Sequence, residues 1–154
     1  MPFAAQHAED VLHVIGSTFL EHGMVFDLPG YDSDLLDIPR HYLAAGGAFV
    51  VLVDAGRVVG TAGGIPRPDG VYEIKRVYLL PGYRGRGHGR ALVEHIMARA
   101  VEAAAREVIA WSDVRLGVAH QVYERLGFQR FGERITDDIE HSREYGFRKI
   151  VRSG

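Results

Sequence analysis

The sequence contains no cysteine, so neither a disulfide framework nor a thiol nucleophile can enter its chemistry. It contains no apolar run near the ~20 residues that a membrane span needs. Its opening stretch, MPFAAQHAED, lacks the basic-then-apolar pattern of a secretory signal. Its eight histidines include no H-E-x-x-H or comparable ligand spacing, so no metal site is expected. Neither sign of charge dominates: the formal net charge of −2 argues against a dedicated nucleic-acid binder. Repeats, low-complexity tracts and linkers are also missing. With 47% apolar and 25% charged residues, the chain has an ordinary globular balance. The expectation is one cytoplasmic domain over residues 1–154, with neither a nucleic-acid nor a membrane partner.

Val11, Leu12, Ile15 and Phe19 recur at helical spacing and predict a helix from about Glu9 to His22, stopped at Gly23. Pro29, Gly30 and Pro39 break the next stretch into a loop with one or two short helical pieces. AFVVLVDAGRVVGTAGGI reads as a hairpin turning at Asp54-Ala55-Gly56-Arg57, and VYEIKRVYLL as the next strand. A strong helix is expected from His88 to Arg106, with Val93, Met97, Ala100 and Ala104 on its apolar stripe. EVIAWSDV predicts a strand. VAHQVYERLGF predicts a helix with Val118, Val122 and Leu126 inward and Gly127 as its stop. FQRFGERI and YGFRKIV read as closing strands. The order is that of an α/β fold with a largely antiparallel front half. A first strand before the first helix is missing or reduced to Pro2–Ala5.

The segment RVYLLPGYRGRGHGRALVEHIM places four glycines and three arginines between a strand and a helix. A helix start presents unpaired N–H groups and the positive end of the helix dipole, where a phosphate fits. Glycine lets the backbone come close and adopt positive φ. Arg84, Arg86 and Arg90 add charge. The segment therefore reads as a phosphate or pyrophosphate cradle. It is not a P-loop, because His88 and Gly89 follow Gly82 and Gly87 where Lys and Ser/Thr belong. It is not a dinucleotide fingerprint either, because the third glycine is absent in both registers.

These residues resemble the signature of the GCN5-related N-acetyltransferases. Arg84-x-x-Gly87-x-Gly89 matches R/Q-x-x-G-x-G/A, and Pro81 precedes it by three residues, as in the commoner extended form. Glu73 lies eleven residues before Arg84, where many members carry a catalytic glutamate. VYERLGF resembles the second landmark, L-Y-x-x-x-G-F, with Tyr123 in the tyrosine position. The chain departs from many relatives at Leu116, three residues before Ala119, where an asparagine is common.

The resemblance implies a mixed, mostly antiparallel twisted sheet flanked by helices, with a splayed central strand pair. It implies acetyl-CoA as co-substrate. The backbone of Val77, Tyr78 and Leu79 would pair with the pantetheine arm, and the segment Arg84, Gly85, Arg86, Gly87, His88, Gly89 and Arg90 would hold the pyrophosphate. Tyr123 would be the general acid and Glu73 the general base. Read from the residues alone, Tyr123 is equally an ordinary core-edge tyrosine, and Glu73 equally one half of a surface pair with Lys75 or an arginine. The strand around Glu73 has no cleanly apolar face, which suits a polar cleft or a bulge.

The implied function is acetyl transfer to a primary amine of a small molecule or amino acid by direct attack in a ternary complex, in a monomer or homodimer. Protein amines as acceptors, or a non-catalytic CoA-binding regulator, are the alternatives. On the acceptor side, Asp27, Asp32, Asp34, Asp37, Asp137, Asp138 and Glu140 would either attract a cationic amine or remain solvated. Lys75, Arg76 and Arg67 would instead suit a carboxylate. Trp111, Asp113 and Arg115 would touch substrate, or pack and pair. His120 is expected to face solvent or cap.

Overall fold

The computed structural model describes residues 1–152. Helix α1 (Ala8–Glu21) forms where the helical spacing predicts, and Gly23 ends it at φ 67°. A loop follows with short helical turns at Ser33–Leu36 and Pro39–Leu43. The hairpin is β1 (Ala48–Asp54) and β2 (Arg57–Arg67), and β3 (Val71–Leu79) pairs antiparallel with β2. Then come α2 (His88–Glu102), β4 (Glu107–Asp113), α3 (Gly117–Arg125), β5 (Gln129–Ile135) and β6 (Arg143–Ile150). The six strands lie in the order β1-β2-β3-β4-β6-β5, and only β3–β4 is parallel. The fold is the expected mixed, mostly antiparallel α/β sheet. The reduced first strand is a single bridge between Pro2 and Val50.

Both faces of the front sheet are buried, which is why β1 reads as a continuous apolar run. On one face Val11, Val14, Ile15 and Phe19 of α1 pack with Phe49, Val51 and Val58. On the other, Leu92, Val93, Ile96 and Ala100 of α2 pack with Val50, Ala62, Ile74 and Val108.

Two helix expectations are corrected. Helix α2 stops at Glu102 rather than Arg106, and Ala104 is exposed rather than on the stripe. Ala104 turns at φ 60°, and the Arg106 N–H donates to the Gly70 carbonyl at 2.7 Å, which starts β4 in register with β3. No glycine marks this end, so the alanine run keeps its helical appearance. Val118 is 61% exposed rather than inward, because it forms the rim of a slot described below.

The feature that positions the site is a splay. Strands β3 and β4 pair only from Val71↔Glu107 to Ile74↔Ala110. Beyond that, residues 75–79 keep β2 on one side and have no strand on the other. A bulge sits at the same point: Thr61 pairs with Tyr78 and Gly63 with Lys75, so Arg76 and Val77 together oppose Ala62. Arg76 has φ 59°, and its carbonyl accepts from the Thr61 hydroxyl at 2.8 Å. The bulge accounts for the absence of a clean apolar face in this strand, because Lys75 and Arg76 fall on the same side.

Arg76 holds the bulge from its far end. Its guanidinium donates to both oxygens of Asp34 (2.6 and 3.2 Å) and to Asp32 (3.0 Å), and its side chain is only 9% exposed. Tyr42 donates to Asp34 from the third side. Removing one member of a buried ion pair strands its partners, at a cost of roughly 3–5 kcal/mol. Arg76→Ala is therefore expected to destabilise the fold by about that much. Arg76→Gly should cost about 1 kcal/mol less, because glycine tolerates positive φ where alanine is strained. Denaturant unfolding of both variants checks this, and coincident midpoints would argue against strain at the bulge.

Candidate active site

The glycine-arginine segment begins with a tight turn at Pro81–Tyr83 and ends where Gly87, at φ 85°, caps α2. Gly85 also has positive φ, at 75°, and a Cβ at either glycine would meet nothing within 4 Å. The requirement at these two positions is therefore conformational. Among the described residues, the N–H groups of residues 86–90 have no protein acceptor, and the first turn of α2 carries no acid. The positive end of the helix is thus uncompensated.

The arginines differ from one another. Arg84 donates to the Leu79 carbonyl at 2.9 Å and grips both oxygens of Glu21 at 2.6 and 2.9 Å. Its amide bonds the Pro81 carbonyl at 3.3 Å. The charge expected from Arg84 is therefore neutralised, and the residue braces the loop against β3 and α1. Arg86 is exposed and has no partner among the described residues, and Arg90 pairs loosely with Glu94 at 3.3 Å. His88 stands beside Tyr83, with ring centres 6.5 Å apart.

From the loop an apolar slot runs inward between the open edge of β3 and helix α3. Val77, Leu79, Gly89, Val118, Ala119 and Val122 line it. Val77, Tyr78, Ala119 and Tyr123 also border the inner cavity beyond, so these four form the junction. Leu116, in place of the common asparagine, borders that cavity and caps α3 without a side-chain hydrogen bond.

Tyr123 is 4% exposed and packs against Phe128 and Phe147. Its hydroxyl has no protein partner, yet no sealed, unpartnered side-chain oxygen exists among the described residues. The hydroxyl therefore opens onto the cavity. Burial, with Tyr78 nearby, pushes its pKa above that of an ordinary phenol. Burial also pushes Tyr78 up, to about 12. Both tyrosines remain protonated through the neutral range.

Glu73 is buried and accepts from Arg67 at 2.8 Å. It lines a second, outer cavity with Lys75, Arg76 and Trp111 rather than the cavity bordered by Tyr123. Glu144 lines both. Burial pushes its carboxyl above the usual range, against the pull of Arg134, which donates to it at 2.8 Å. Glu144 escapes a sequence reading because nothing in its neighbourhood marks it. It reaches the cavities because β6 pairs it across from Asp113 of β4.

The acids of the acceptor side divide between protein partners and solvent. Asp32 and Asp34 belong to Arg76, and Asp27 accepts from the Tyr31 amide. Asp37 is exposed and accepts from the Arg40 amide, and Asp137 is exposed. Asp138 binds Thr136 and Ser142. Glu140 accepts from the Val25 amide at 2.9 Å and lies 3.4 Å from Arg115, which stitches together the loops over the cavity. Asp113 and Arg115 form an ion pair at 2.8 Å. Trp111 packs under Arg134 and against Phe131 while facing both cavities. His120 is half-buried rather than turned out to solvent: its Nε2 lies 3.1 Å from the Ser112 hydroxyl and 3.0 Å from the Asp113 carbonyl, and burial lowers its pKa.

The chain matches the family model for the acetyltransferase (GNAT) family over residues 17–128. It is 36% identical over 106 residues to "Probable N-acetyltransferase family 8 member 5" of Mus musculus, covering 66% of this chain and 47% of that protein. It is 32% identical over 108 residues to the N-acetylaspartate synthetase of Danio rerio, covering 69% of this chain and 38% of that one. The chain thus spans less than half the length of these two relatives. A GNAT superfamily phosphinothricin acetyltransferase from Sinorhizobium meliloti, solved in complex with acetyl-CoA, superposes with a TM-score of 0.81 at 19% identity, over 100% of this chain and 88% of that one. No helix among the described residues is long and apolar enough to cross a membrane.

Proposed function

The chain belongs to the GNAT acetyltransferase family, and we propose that it acts as a single domain that transfers an acetyl group from acetyl-CoA to a primary amine of a small molecule or amino acid, by direct attack in a ternary complex. The observation that carries this reading is continuity. Unpaired amides at the start of α2 lead into an apolar slot, and the slot ends at an unpartnered tyrosine hydroxyl. One relative is an N-acetylaspartate synthetase, which supports a small amine-bearing acceptor.

The residues present fit acetyl-CoA. The amides of residues 86–90 would hold its pyrophosphate, with Arg86 the nearby cation not engaged elsewhere. The slot would take the pantetheine arm, alongside the open edge of β3 at Val77 to Leu79. Bound there, acetyl-CoA supplies an acyl group on a good leaving thiol. The N–H groups of that edge not taken by β2 would be fixed donors for an acyl oxygen, the arrangement that stabilises developing negative charge. Tyr123, at the junction of slot and cavity, would give its Oη proton to the departing sulfur. Glu73, one cavity away, would remove the amine's proton through intervening water, and Glu144, which lines both cavities, is the second candidate for that work.

The test is amine-dependent release of CoA thiol across a panel of amines, amino acids and peptides. No amine-dependent release would end the acetyltransferase reading. Glu73→Gln is expected to lower turnover near neutral pH by at least about tenfold, the low side for a base acting through water. Turnover should recover in part towards the amine's own pKa of about 10, where substrate arrives unprotonated. Parallel pH–rate profiles of equal height would remove Glu73 from this role. The same loss in Glu144→Gln alone would transfer the role to Glu144.

A further inference from the structure

The inner and outer cavities are bordered by three side chains of the lysine and arginine type: Lys75, Arg76 and Arg134. Arg76 is held by Asp32 and Asp34, and Arg134 by Glu144. Arg67, behind Glu73, is likewise paired. Lys75 alone among them has no hydrogen-bond or ion-pair partner among the described residues. Its ammonium is not sealed off without a partner, so it opens onto the cavities it borders.

Its place in the fold is specific. Lys75 follows Ile74, the last residue of β3 paired with β4, and shares one side of the strand with Arg76 because of the bulge. It borders the cavity of Tyr123 and the cavity of Glu73 at once. The charges facing it are Glu73 and Asp34, which attract, and Arg76 and Arg67, which repel. Both acids already hold guanidinium groups. Burial disfavours the Lys75 ammonium and lowers its pKa, so an anion brought to it would stabilise the charged form.

We propose that Lys75 receives a carboxylate of the acceptor, so that the acceptor is an amine that also carries an acid group, such as an amino acid, rather than a plain alkylamine. This rests on the acetyltransferase reading above and names the substrate class of the same site. With the carboxylate on Lys75, the amine lies in the inner cavity towards Tyr123. Of the acids on the acceptor side, Asp32, Asp34, Asp138 and Glu140, which border these cavities, are meanwhile engaged with protein donors. Lys75 is thus a specificity residue.

The experiment compares acids with their carboxamides: L-aspartate, L-phenylalanine and γ-aminobutyrate, each against the matching amide, by CoA thiol release. For at least one pair the wild type should favour the acid in kcat/KM by about 10- to 100-fold, the scale of a charge-assisted contact. The advantage should sit mainly in KM. Lys75→Met should erase the ratio and Lys75→Arg should keep part of it, with acetyl-CoA binding reporting that both variants are folded. Amides used as well as acids, or a preference that survives Lys75→Met, would overturn the proposal while leaving the acetyltransferase reading intact. An equal fall in kcat for acids and amides in Lys75→Met would also overturn it, because Lys75 would then be acting on the proton. Acetyl-CoA binding with turnover of plain amines or peptides but of none of these acids would overturn the proposal alone, and no turnover across the whole amine, amino-acid and peptide panel would overturn both readings.

Discussion

Tyr123→Phe is expected to slow the chemical step by about 100- to 10,000-fold, the usual contribution of a positioned general acid. The ring remains, so the packing against Phe128 and Phe147 should survive and acetyl-CoA affinity should change little. The raised pKa of Tyr123 bears on the size of the effect. An alkyl thiol titrates near 8.5 in water, so a phenol of higher pKa is a reluctant donor to it. The departing thiolate, however, would form in the same desolvated junction, and burial raises its proton affinity for the same reason. The sign is also clear: because burial raises the pKa, Tyr123 stays protonated as pH climbs past neutrality. The alkaline limb of the wild-type profile should therefore not come from Tyr123. Single-turnover measurements isolate the chemical step, and wild-type rates there would leave Tyr123 as a packing residue.

Gly89→Val is expected to abolish stabilisation by acetyl-CoA. A Cβ at Gly89 lies 3.5 Å from Leu79 and 3.8 Å from Val122, ordinary contacts, so the backbone accepts the side chain. The added methyl groups would then fill the apolar slot, and the block falls on the arm rather than on the phosphates. At 100 times its dissociation constant a ligand adds about 2.7 kcal/mol to stability. For a chain of this size that is a rise in Tm of roughly 5–10 °C. The wild type should show it and Gly89→Val should not. Gly87→Val should lose it by another route, because valine resists φ 85° and the cap would move. Gly82→Ala, with open space around its Cβ and no positive φ, is the control that should keep the shift. An undiminished shift in Gly89→Val would remove the slot from the cofactor's path.

Much of this architecture follows from local chemistry. The spacing of Val11, Ile15 and Phe19 determines which face of α1 is buried, and the hairpin forms at Asp54–Arg57 as its residues require. The glycines at 85 and 87 do adopt positive φ, and Gly127 ends α3 at φ 88°. The mixed pattern around Glu73 does correspond to a bulge, because two side chains on one face disturb alternation in any sequence. Where the reading failed locally, at Ala104 and Val118, the deciding contacts were remote. One was a backbone bond from Arg106 to Gly70, and the other was the slot formed with β3 and α2.

The sequence by itself determined the element order, the glycine-rich start of α2 with its free N–H groups, and the helix that carries Tyr123. Each of these depends on residues close together in the chain and on backbone preferences that act within a few residues. Tertiary structure alone decided the ownership of charge. Arg84 is bound to Glu21, 63 positions away, and Arg76 to Asp34, 42 positions away, while Glu140 is bound to the Val25 amide, 115 positions away. A sequence lists charges without partners, and an ion pair matters only when folding brings its members within contact and takes them out of water. That pairing makes Asp32 and Asp34 internal struts and leaves Lys75, at the splay of β3 from β4, as the lysine open to the cavities.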